Sequence, residues 1–330
     1  MEAEKKPVTA EGANIKAILV GCNNYPDPEN ELKGCHNDAY NMHNILIKIF
    51  NFDPKRILVM VDTPGSKHMP TAANIKKQLE KMIEDADEGD RLFFYFSGHG
   101  MTVCHHGETK PAIVPCDDNL ITCMDFRYCV SRLPKKATFT IMADSCNSGG
   151  LIDQEPVQVG QPYYVQPPKD QTCVGKNKPK MIPYESYMAN LSSRTGLNDP
   201  DIGAHLIQLF GSEASIMFWL PPHQHPEPLK SDQGILLSGG EPDELTFEDR
   251  RDIRNPCGAF TKTVVAILNG HPAPITNRQL IVNARGILGI KDEDERQHPC
   301  LYCSQENANA VFLRKASEIG ETSEDHVLEG

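Results

Sequence analysis

A cysteine and a histidine follow two apolar segments of the chain in a way that could support nucleophilic catalysis. Cys146 lies just past residues 138–142, and His99 just past residues 92–96. Both segments are typical of buried β-strands, and reactive groups collect at the carboxyl ends of strands in open α/β sheets. A thiol and an imidazole at such an edge can form a nucleophile and its base. The alternative is a small buried cysteine and a turn histidine, but glycines accompany both, which favours catalysis.

The order of the predicted elements indicates an α/β fold that brings these strand ends together. Strands are predicted at 15–21, 56–61, 92–96, 138–144, 234–239 and 308–313, and helices at 38–49, 71–86, 125–133, 202–210, 260–268 and 277–288. This alternation predicts a mostly parallel sheet with helices on both faces. Residues 101–113 are predicted to form a loop or hairpin beside the site.

The chain divides into three predicted regions. Residues 1–152 carry the thiol and the imidazole, residues 153–230 form an exposed linker, and residues 231–330 form a smaller α/β region. Prolines punctuate a polar stretch between residues 153 and 201 that has neither strand nor helix periodicity, which is the basis for the linker.

The composition excludes several classes of function. A net charge of −12 and the lack of a long basic run argue against nucleic-acid binding. No apolar stretch approaches the roughly 20 residues that span a bilayer, so no membrane association is expected. The 11 cysteines are odd in number and no apolar signal segment opens the chain, so we expect reduced thiols in a cytosolic or nuclear protein.

Two carboxylates are predicted to flank the thiol. Asp144 lies two residues before Cys146, and Asp38 follows the first strand at the same sheet edge. Paired carboxylates there would bind a guanidinium or ammonium group through charge-assisted hydrogen bonds. The alternatives are a helix N-cap for Asp38, a buried acid with a backbone partner for Asp144, and a less favoured calcium or magnesium site that uses both.

The motifs around these residues resemble those of the metacaspases, a family of caspase-like cysteine peptidases. The matching segments are 34–39, 97–100, 144–150, 297–304 and 309–313, and the last two resemble plant type II members, nearest the metacaspase-9 subgroup. His99 precedes Cys146 by 146 − 99 = 47 residues, near the roughly 50 found in caspases. The resemblance covers residues 15–313 and implies a caspase-like (caspase–hemoglobinase) three-layer sandwich.

The resemblance also implies roles for individual residues. Cys146 would attack the scissile carbonyl, and His99, as an imidazolium, would depress the thiol pKa and pass its proton to the leaving amine. The amides of Gly100 and Cys146 would stabilise the oxyanion. A pocket for arginine or lysine would be lined by Cys35, Asp38, Ser97 and Asp144. Aspartate specificity is not expected, since the cysteine follows Asp-Ser rather than the Gln-Ala of caspases.

The linker is predicted to be cut by the enzyme itself, after Lys180. Proline follows Lys178 and disfavours cleavage there, whereas Met181 follows Lys180. By resemblance, Lys180 occupies the place where the subgroup carries its processing residue. In the uncut zymogen the linker would lie over the pocket, with Lys180 near Asp38 and Asp144.

No cofactor is predicted to be required, and no metal site is assigned. Residues 105–111 lack the acidic run that many type II members carry there, so calcium dependence is not favoured. The weak calcium candidates are Asp117, Asp118 and Asp153. Adjacent strand residues point apart, so His105 and His106 are expected in an exposed loop rather than at a metal.

Three functions remain open from the sequence. The favoured one is a monomeric endopeptidase whose partners are proteins and peptides with arginine or lysine before the cleaved bond. The others are a catalytically silent scaffold with the same fold, and a legumain-like peptidase that cuts after asparagine. The resemblance also leaves release to the apoplast open, although no signal peptide is seen.

Overall fold

The computed structural model describes residues 15–152, 155–160, 177–221, 224–225, 234–271, 273–290 and 296–313. The strands are β1 (Ile15–Gly21), β2 (Ile57–Val61), β3 (Arg91–Ser97), β4 (His99–His105), β5 (Glu108–Val114), β6 (Ile121–Thr122), β7 (Thr138–Asp144), β8 (Val157–Val159), β9 (Lys178–Pro179), β10 (Gly234–Ser238), β11 (Phe247–Asp249), β12 (Cys257–Gly258) and β13 (Cys300–Tyr302). The helices are α1 (Cys35–Lys48), α2 (Ala72–Glu84), α3 (Cys123–Val130), α4 (Tyr184–Thr195), α5 (Ile202–Phe210), α6 (Ile216–Trp219), α7 (Ala259–Gly270), α8 (Asn277–Leu288) and α9 (Gln305–Asn309).

A seven-stranded sheet forms the centre of the described structure, in the order β2-β1-β3-β7-β10-β13-β8. The strands from β2 to β10 are parallel, whereas β13 and β8 are antiparallel to their neighbours. The carboxyl ends of β1, β3 and β7 therefore meet at one edge. The predicted mostly parallel sheet is confirmed.

Helices cover both faces of this sheet. Side chains alternate along β3, so Phe94 and Phe96 pack on one face and Phe93 and Tyr95 on the other. The first face packs against α2, α3, α4 and α5, and the second against α1, α7 and α8. This is the predicted three-layer sandwich.

Two small sheets lie beside the main one and frame the site. The hairpin of β4 and β5 pairs with β6, and β11 pairs with both β12 and β9. The hairpin confirms the prediction for residues 101–113. No helix in the described ranges is both long enough and apolar enough to cross a bilayer.

Two predictions about elements were wrong. Residues 308–313 do not form a strand, since α9 ends at Asn309 and only an isolated bridge at Val311 follows. The strand at this place is β13, whose three residues are too few to show periodicity. Residues 184–195 were expected in an irregular linker but form α4. This helix buries only Tyr187 and Leu191, so its sequence shows little apolar periodicity.

Candidate active site

The side chain of Lys180 lies in a buried pocket that three polar residues line. Its Nζ atom is 2.9 Å from Oδ1 of Asp144 and 3.4 Å from Oδ2 of Asp38. It also donates to Oγ of Ser97 at 2.9 Å and to the carbonyl oxygen of Asp144 at 3.1 Å. The relative exposure of Lys180 is 0%. The expectation that this part of the linker is exposed was therefore wrong, because the lysine is inserted between two carboxylates.

The pocket carboxylates are held by the start of helix α7. The amide of Gly258 donates to both oxygens of Asp38, at 2.9 Å each. The amide and hydroxyl of Thr261 donate to Oδ2 of Asp144 at 2.8 and 2.6 Å. Amides in the first turn of a helix lack intrahelical partners and favour negative charge. This helix terminus therefore stabilises both acids where they face the lysine.

The charged groups of the pocket shift one another's pKa values. Burial raises the pKa of Asp38 to about 6; Lys180 acts to lower it and Asp144 to raise it. Burial by itself would lower the pKa of Lys180, but Asp144, Cys35 and Asp38 together raise it above its ordinary value. Lys180 is therefore a cation in this pocket.

The other predicted pocket residues lie in the same place. Cys35 is fully buried at the first position of α1 and interacts electrostatically with Lys180. Ser97 donates from its hydroxyl to Asp38 at 2.7 Å. Helix α1 begins at Cys35 and its N-cap is Gly34, so the alternative role of Asp38 as the N-cap was wrong.

The carbonyl oxygen of Lys180 is held by two backbone amides. The amide of Gly100 donates to it at 3.0 Å and that of Cys146 at 3.3 Å. A Cβ atom on Gly100 would lie 2.0 Å from the carbonyl oxygen of Cys146, so only glycine fits there. Two amides directed at one carbonyl can stabilise the oxyanion that forms when a nucleophile attacks it.

The residues before Lys180 form a short strand that adds to the edge of β11. In β9, Lys178 is paired with Glu248 and Pro179 with Phe247 of β11. The amide of Lys180 continues this ladder by donating to the carbonyl of Thr246 at 2.9 Å. Strand addition of this kind is a common way to bind an extended peptide.

The thiol of Cys146 is buried and protonated in this state. The amide of Thr246 donates to Sγ at 3.1 Å, and Sγ donates to the carbonyl of Thr246 at 3.4 Å. Burial raises the pKa of Cys146 to about 12, and the bonds to Thr246 oppose this only in part. The residue is therefore a neutral thiol.

The imidazole of His99 is neutral and has a defined tautomer. Its Nε2 atom donates to the carbonyl of Asn30 at 2.7 Å, which leaves Nδ1 without a proton. Among the described residues Nδ1 has no hydrogen-bond partner. Burial lowers the pKa of His99 to about 3. The predicted imidazolium is therefore wrong for this state, although an unprotonated Nδ1 can accept a proton.

Several residues that hold the site were not predicted from the sequence: Tyr25, Asn30, Thr246, Gly258 and Thr261. Most of them act through backbone atoms, and the type of a residue does not show what its backbone atoms contact. Tyr25 is an exception, since its hydroxyl accepts from the His99 amide at 2.9 Å and its ring lies 4.7 Å from the imidazole. Gly258 could have been identified from the sequence, because it is a glycine that lies two residues before the predicted helix at 260–268.

The calcium candidates have other contacts. Asp117 accepts from the amide of Ala72, the first residue of α2, at 3.1 Å. Asp118 is 3.4 Å from Arg194 of α4. Asp153 lies outside the described residues. Neither Asp117 nor Asp118 belongs to a group of metal-ligating side chains in the part of the chain that the structure describes.

The fold and this arrangement of thiol, imidazole and paired amides define a caspase-like cysteine peptidase. The family model "Metacaspase, peptidase C14 domain" matches residues 15–155. Metacaspase-9 of Arabidopsis thaliana is 41% identical over 315 residues, which cover 90% of this chain and 96% of that protein. Metacaspase-8 of the same plant is 30% identical, with 90% and 99% covered. The chain belongs to the metacaspase family.

A structural comparison supports the fold alone. The crystal structure of protein GSU0716 from Geobacter sulfurreducens matches with a TM-score of 0.62 and 14% sequence identity. The match covers 90% of this chain and 97% of that one. The shared architecture therefore extends over nearly the whole chain.

Proposed function

We propose that this metacaspase is an endopeptidase specific for lysine and arginine, made as a zymogen that cleaves itself after Lys180. One observation carries the proposal. The ammonium group of Lys180 lies between Asp38 and Asp144, while its carbonyl accepts from the amides of Gly100 and Cys146. A bound substrate must place its side chain in the selective pocket and its carbonyl next to the nucleophile, and Lys180 has both contacts.

The pocket chemistry supports a basic residue before the cleaved bond. Asp38 and Asp144 are both fully buried, and an uncharged occupant would leave them without a counter-ion. Losing one partner of a buried ion pair typically costs about 3–5 kcal/mol. An aspartate occupant would add a third negative charge. Arginine suits the same acids, because its guanidinium donates several hydrogen bonds at once.

The proposed reaction uses the thiol of Cys146, the imidazole of His99 and the two amides that hold the Lys180 carbonyl. The Cys146 thiol gives its proton to Nδ1 of His99 as Sγ attacks the Lys180 carbonyl carbon. The resulting oxyanion accepts from the two amides, and the bond to the nitrogen of Met181 then breaks as His99 protonates that nitrogen. Water, deprotonated by His99, hydrolyses the thioester, which frees the Lys180 carboxylate and restores the thiol. The Asn30 carbonyl keeps the ring oriented throughout.

The same contacts explain latency. In the uncut chain Lys180 fills the pocket, so an external substrate must compete with a tethered ligand of high effective concentration. Cutting after Lys180 turns the tether into a free chain end, which can leave. Self-cleavage then becomes the activating step.

A fluorogenic panel with arginine, lysine, asparagine or aspartate before the reporter tests the specificity. We expect turnover of the arginine and lysine peptides only, and none by the Cys146→Ala protein. Preferential cleavage after asparagine would support the legumain-like alternative. No cleavage of any peptide, together with a wild-type chain that stays whole on incubation, would support the scaffold.

A further inference from the structure

A second group of reactive side chains lies away from the active site, where the β4–β5 hairpin meets helix α5. The ligand atoms of His105, His106 and Asp201 all lie within 4.8 Å of one another. Nδ1 of His105 is 2.8 Å from Oδ1 of Asp201, and the two imidazole centroids are 3.9 Å apart. Three side chains of metal-binding type thus converge from two separate segments of the chain.

The turn geometry brings the two histidines together, contrary to the expectation from sequence. His106 has a φ of 48° and Gly107 a φ of 79°, so both adopt the left-handed conformation of a tight hairpin turn. This turn ends the alternation of side chains, and both rings lie on one side. His105 is moreover buried, with 7% relative exposure, rather than in an exposed loop.

The neighbours of His105 hold its ring in place. A Cβ atom on Gly203 would lie 2.7 Å from Cε1 of His105 and 3.0 Å from its Nδ1, so glycine is needed for the ring to lie against the start of α5. The ring of Phe218 packs edge-on against His105 at 5.3 Å and shields it. His106 is exposed, which gives an ion an entry path and room for water.

The donor set of the group suits a divalent cation. Oδ1 of Asp201 lies 2.8 Å from Nδ1 of His105 and accepts from the amide of Gly203 at 3.1 Å. Two imidazoles with one carboxylate form a donor set that zinc and related ions prefer, and one that is too poor in oxygen for calcium.

We propose that His105, His106 and Asp201 bind one zinc-class divalent ion, with water completing a tetrahedral shell. The ion takes the place of the proton that Nδ1 of His105 shares with Asp201; in the neutral ring that proton moves to Nε2, so the lone pair of Nδ1 binds the ion. Ligands of a tetrahedral zinc ion lie roughly 3.3 Å apart for bonds of about 2.0 Å, so the His105–Asp201 contact opens only slightly.

The site would join parts of the chain that self-cleavage separates. The hairpin that carries His105 and His106 precedes Lys180, and Asp201 follows it. If the proposed cut after Lys180 occurs, the ion holds the two fragments together where the β4–β5 hairpin meets α5. This consequence rests on the proposed function, whereas metal binding itself does not.

The test uses the full-length Cys146→Ala protein, which lacks the catalytic thiol and stays uncut, so its result is independent of peptidase activity. Zinc is titrated into metal-free, reduced protein against a chromophoric chelator. We expect one tight equivalent, weakened at least tenfold by His106→Ala and by Asp201→Asn. His106 is exposed and asparagine can still cap α5, so both variants should fold. His68→Ala, at an exposed histidine elsewhere, and Cys104→Ser, at the neighbouring exposed thiol, should bind as the parent does.

Cobalt provides the second measurement. We expect a tetrahedral visible spectrum without the thiolate charge-transfer band, lost in the same two variants. Equal zinc affinity in all variants would overturn the proposal, as would a thiolate band that persists in the Asp201→Asn protein. Absence of any tight equivalent in the parent would overturn it too.

Discussion

The ammonium group of Lys180 is a full positive charge held away from water, at 0% relative exposure. The effective penalty of burying an ion is several kcal/mol, so this arrangement persists only because charges of opposite sign face it at hydrogen-bonding distance. Asp144 makes the shorter of the two ion pairs, at 2.9 Å, and Asp38 the longer, at 3.4 Å. Asp144 should therefore contribute more than Asp38 to recognition.

We expect Asp144→Ala to slow both self-cleavage and the turnover of arginine peptides by on the order of a hundredfold or more. The reason is that the cation loses its nearest counter-ion while Asp38 remains. Circular dichroism should show an unchanged fold. Asp249→Asn is the matched control, because Asp249 pairs with Arg251 and Lys262 outside the pocket and should not affect turnover. Unchanged kcat/KM in Asp144→Ala would remove Asp144 from the pocket's function.

His99 should make the uncut protein lose stability in acid. In the unfolded chain the imidazole titrates near its ordinary pKa of 6.5, whereas burial lowers the pKa of the folded form to about 3. Between these values the unfolded chain binds a proton that the folded chain does not, so the free energy of unfolding falls with falling pH. The slope from one such group is up to about 1.4 kcal/mol per pH unit.

Denaturant unfolding of Cys146→Ala and of Cys146→Ala with His99→Gln, each from pH 7 to pH 4, measures this contribution. The histidine-containing protein should lose stability more steeply as the pH falls. Parallel slopes in the two proteins would mean that His99 is not the buried neutral base described here.

At the scale of elements, the beginning of helix α7 determines the shape of the pocket. A Cβ atom at Gly258 would lie 2.1 Å from Oδ2 of Asp144 and 2.4 Å from Nζ of Lys180. Gly258→Ala should therefore lower kcat/KM for arginine peptides by at least tenfold. Gly286→Ala is the control, since nothing lies within 4 Å of a Cβ there and alanine favours a helix. Equal activity of the two variants would show that α7 does not form the pocket wall.

The parts of the fold that could be predicted are those with strong local patterns. Strands β1 and β7 and helix α8 have the predicted bounds, because their apolar patterns are long and regular enough to define where each element begins and ends. The short strands β8, β9 and β13 could not be predicted, since pairing with distant partners rather than local propensity forms them.

The site likewise has residues that local patterns predict and residues that they do not. Cys146, His99 and Asp144 follow apolar strands, so their place at one sheet edge could be predicted. The carbonyl of Asn30 and the amide of Thr246 act as backbone atoms from loops, where residue type carries little information. The position of Lys180 beside Asp38 and Asp144 was predicted. Its complete burial could not be, because its polar, proline-rich neighbourhood indicates exposure.

At the scale of the whole molecule, we expect activity to need little or no added calcium. Asp118 already has a cationic partner in Arg194, and Asp117 accepts from the start of α2. Calcium prefers six to eight oxygen ligands, several of them carboxylate. Titrating calcium into chelator-treated enzyme should change the rate only modestly. A steep rise at millimolar calcium would contradict this, and its loss in Asp118→Asn would place the ion at Asp118.

On the proposed function, the uncut chain is a complex of the enzyme with its own linker. Strand β9, the Lys180 side chain and the Lys180 carbonyl each contact a different part of the structure, and the carbonyl accepts from the amide of Cys146. The bond between Lys180 and Met181 should therefore be cut before other basic sites. Lys180→Ala should leave the chain whole, whereas Lys178→Ala should still permit the cut.

The most direct test of self-cleavage after Lys180 is N-terminal sequencing of the small fragment that forms when the purified wild-type chain is incubated. We expect a small fragment that begins at Met181, a large fragment that ends at Lys180, and an intact Cys146→Ala chain. A small fragment with any other first residue, or the same cut in the Cys146→Ala chain incubated alone, would contradict it.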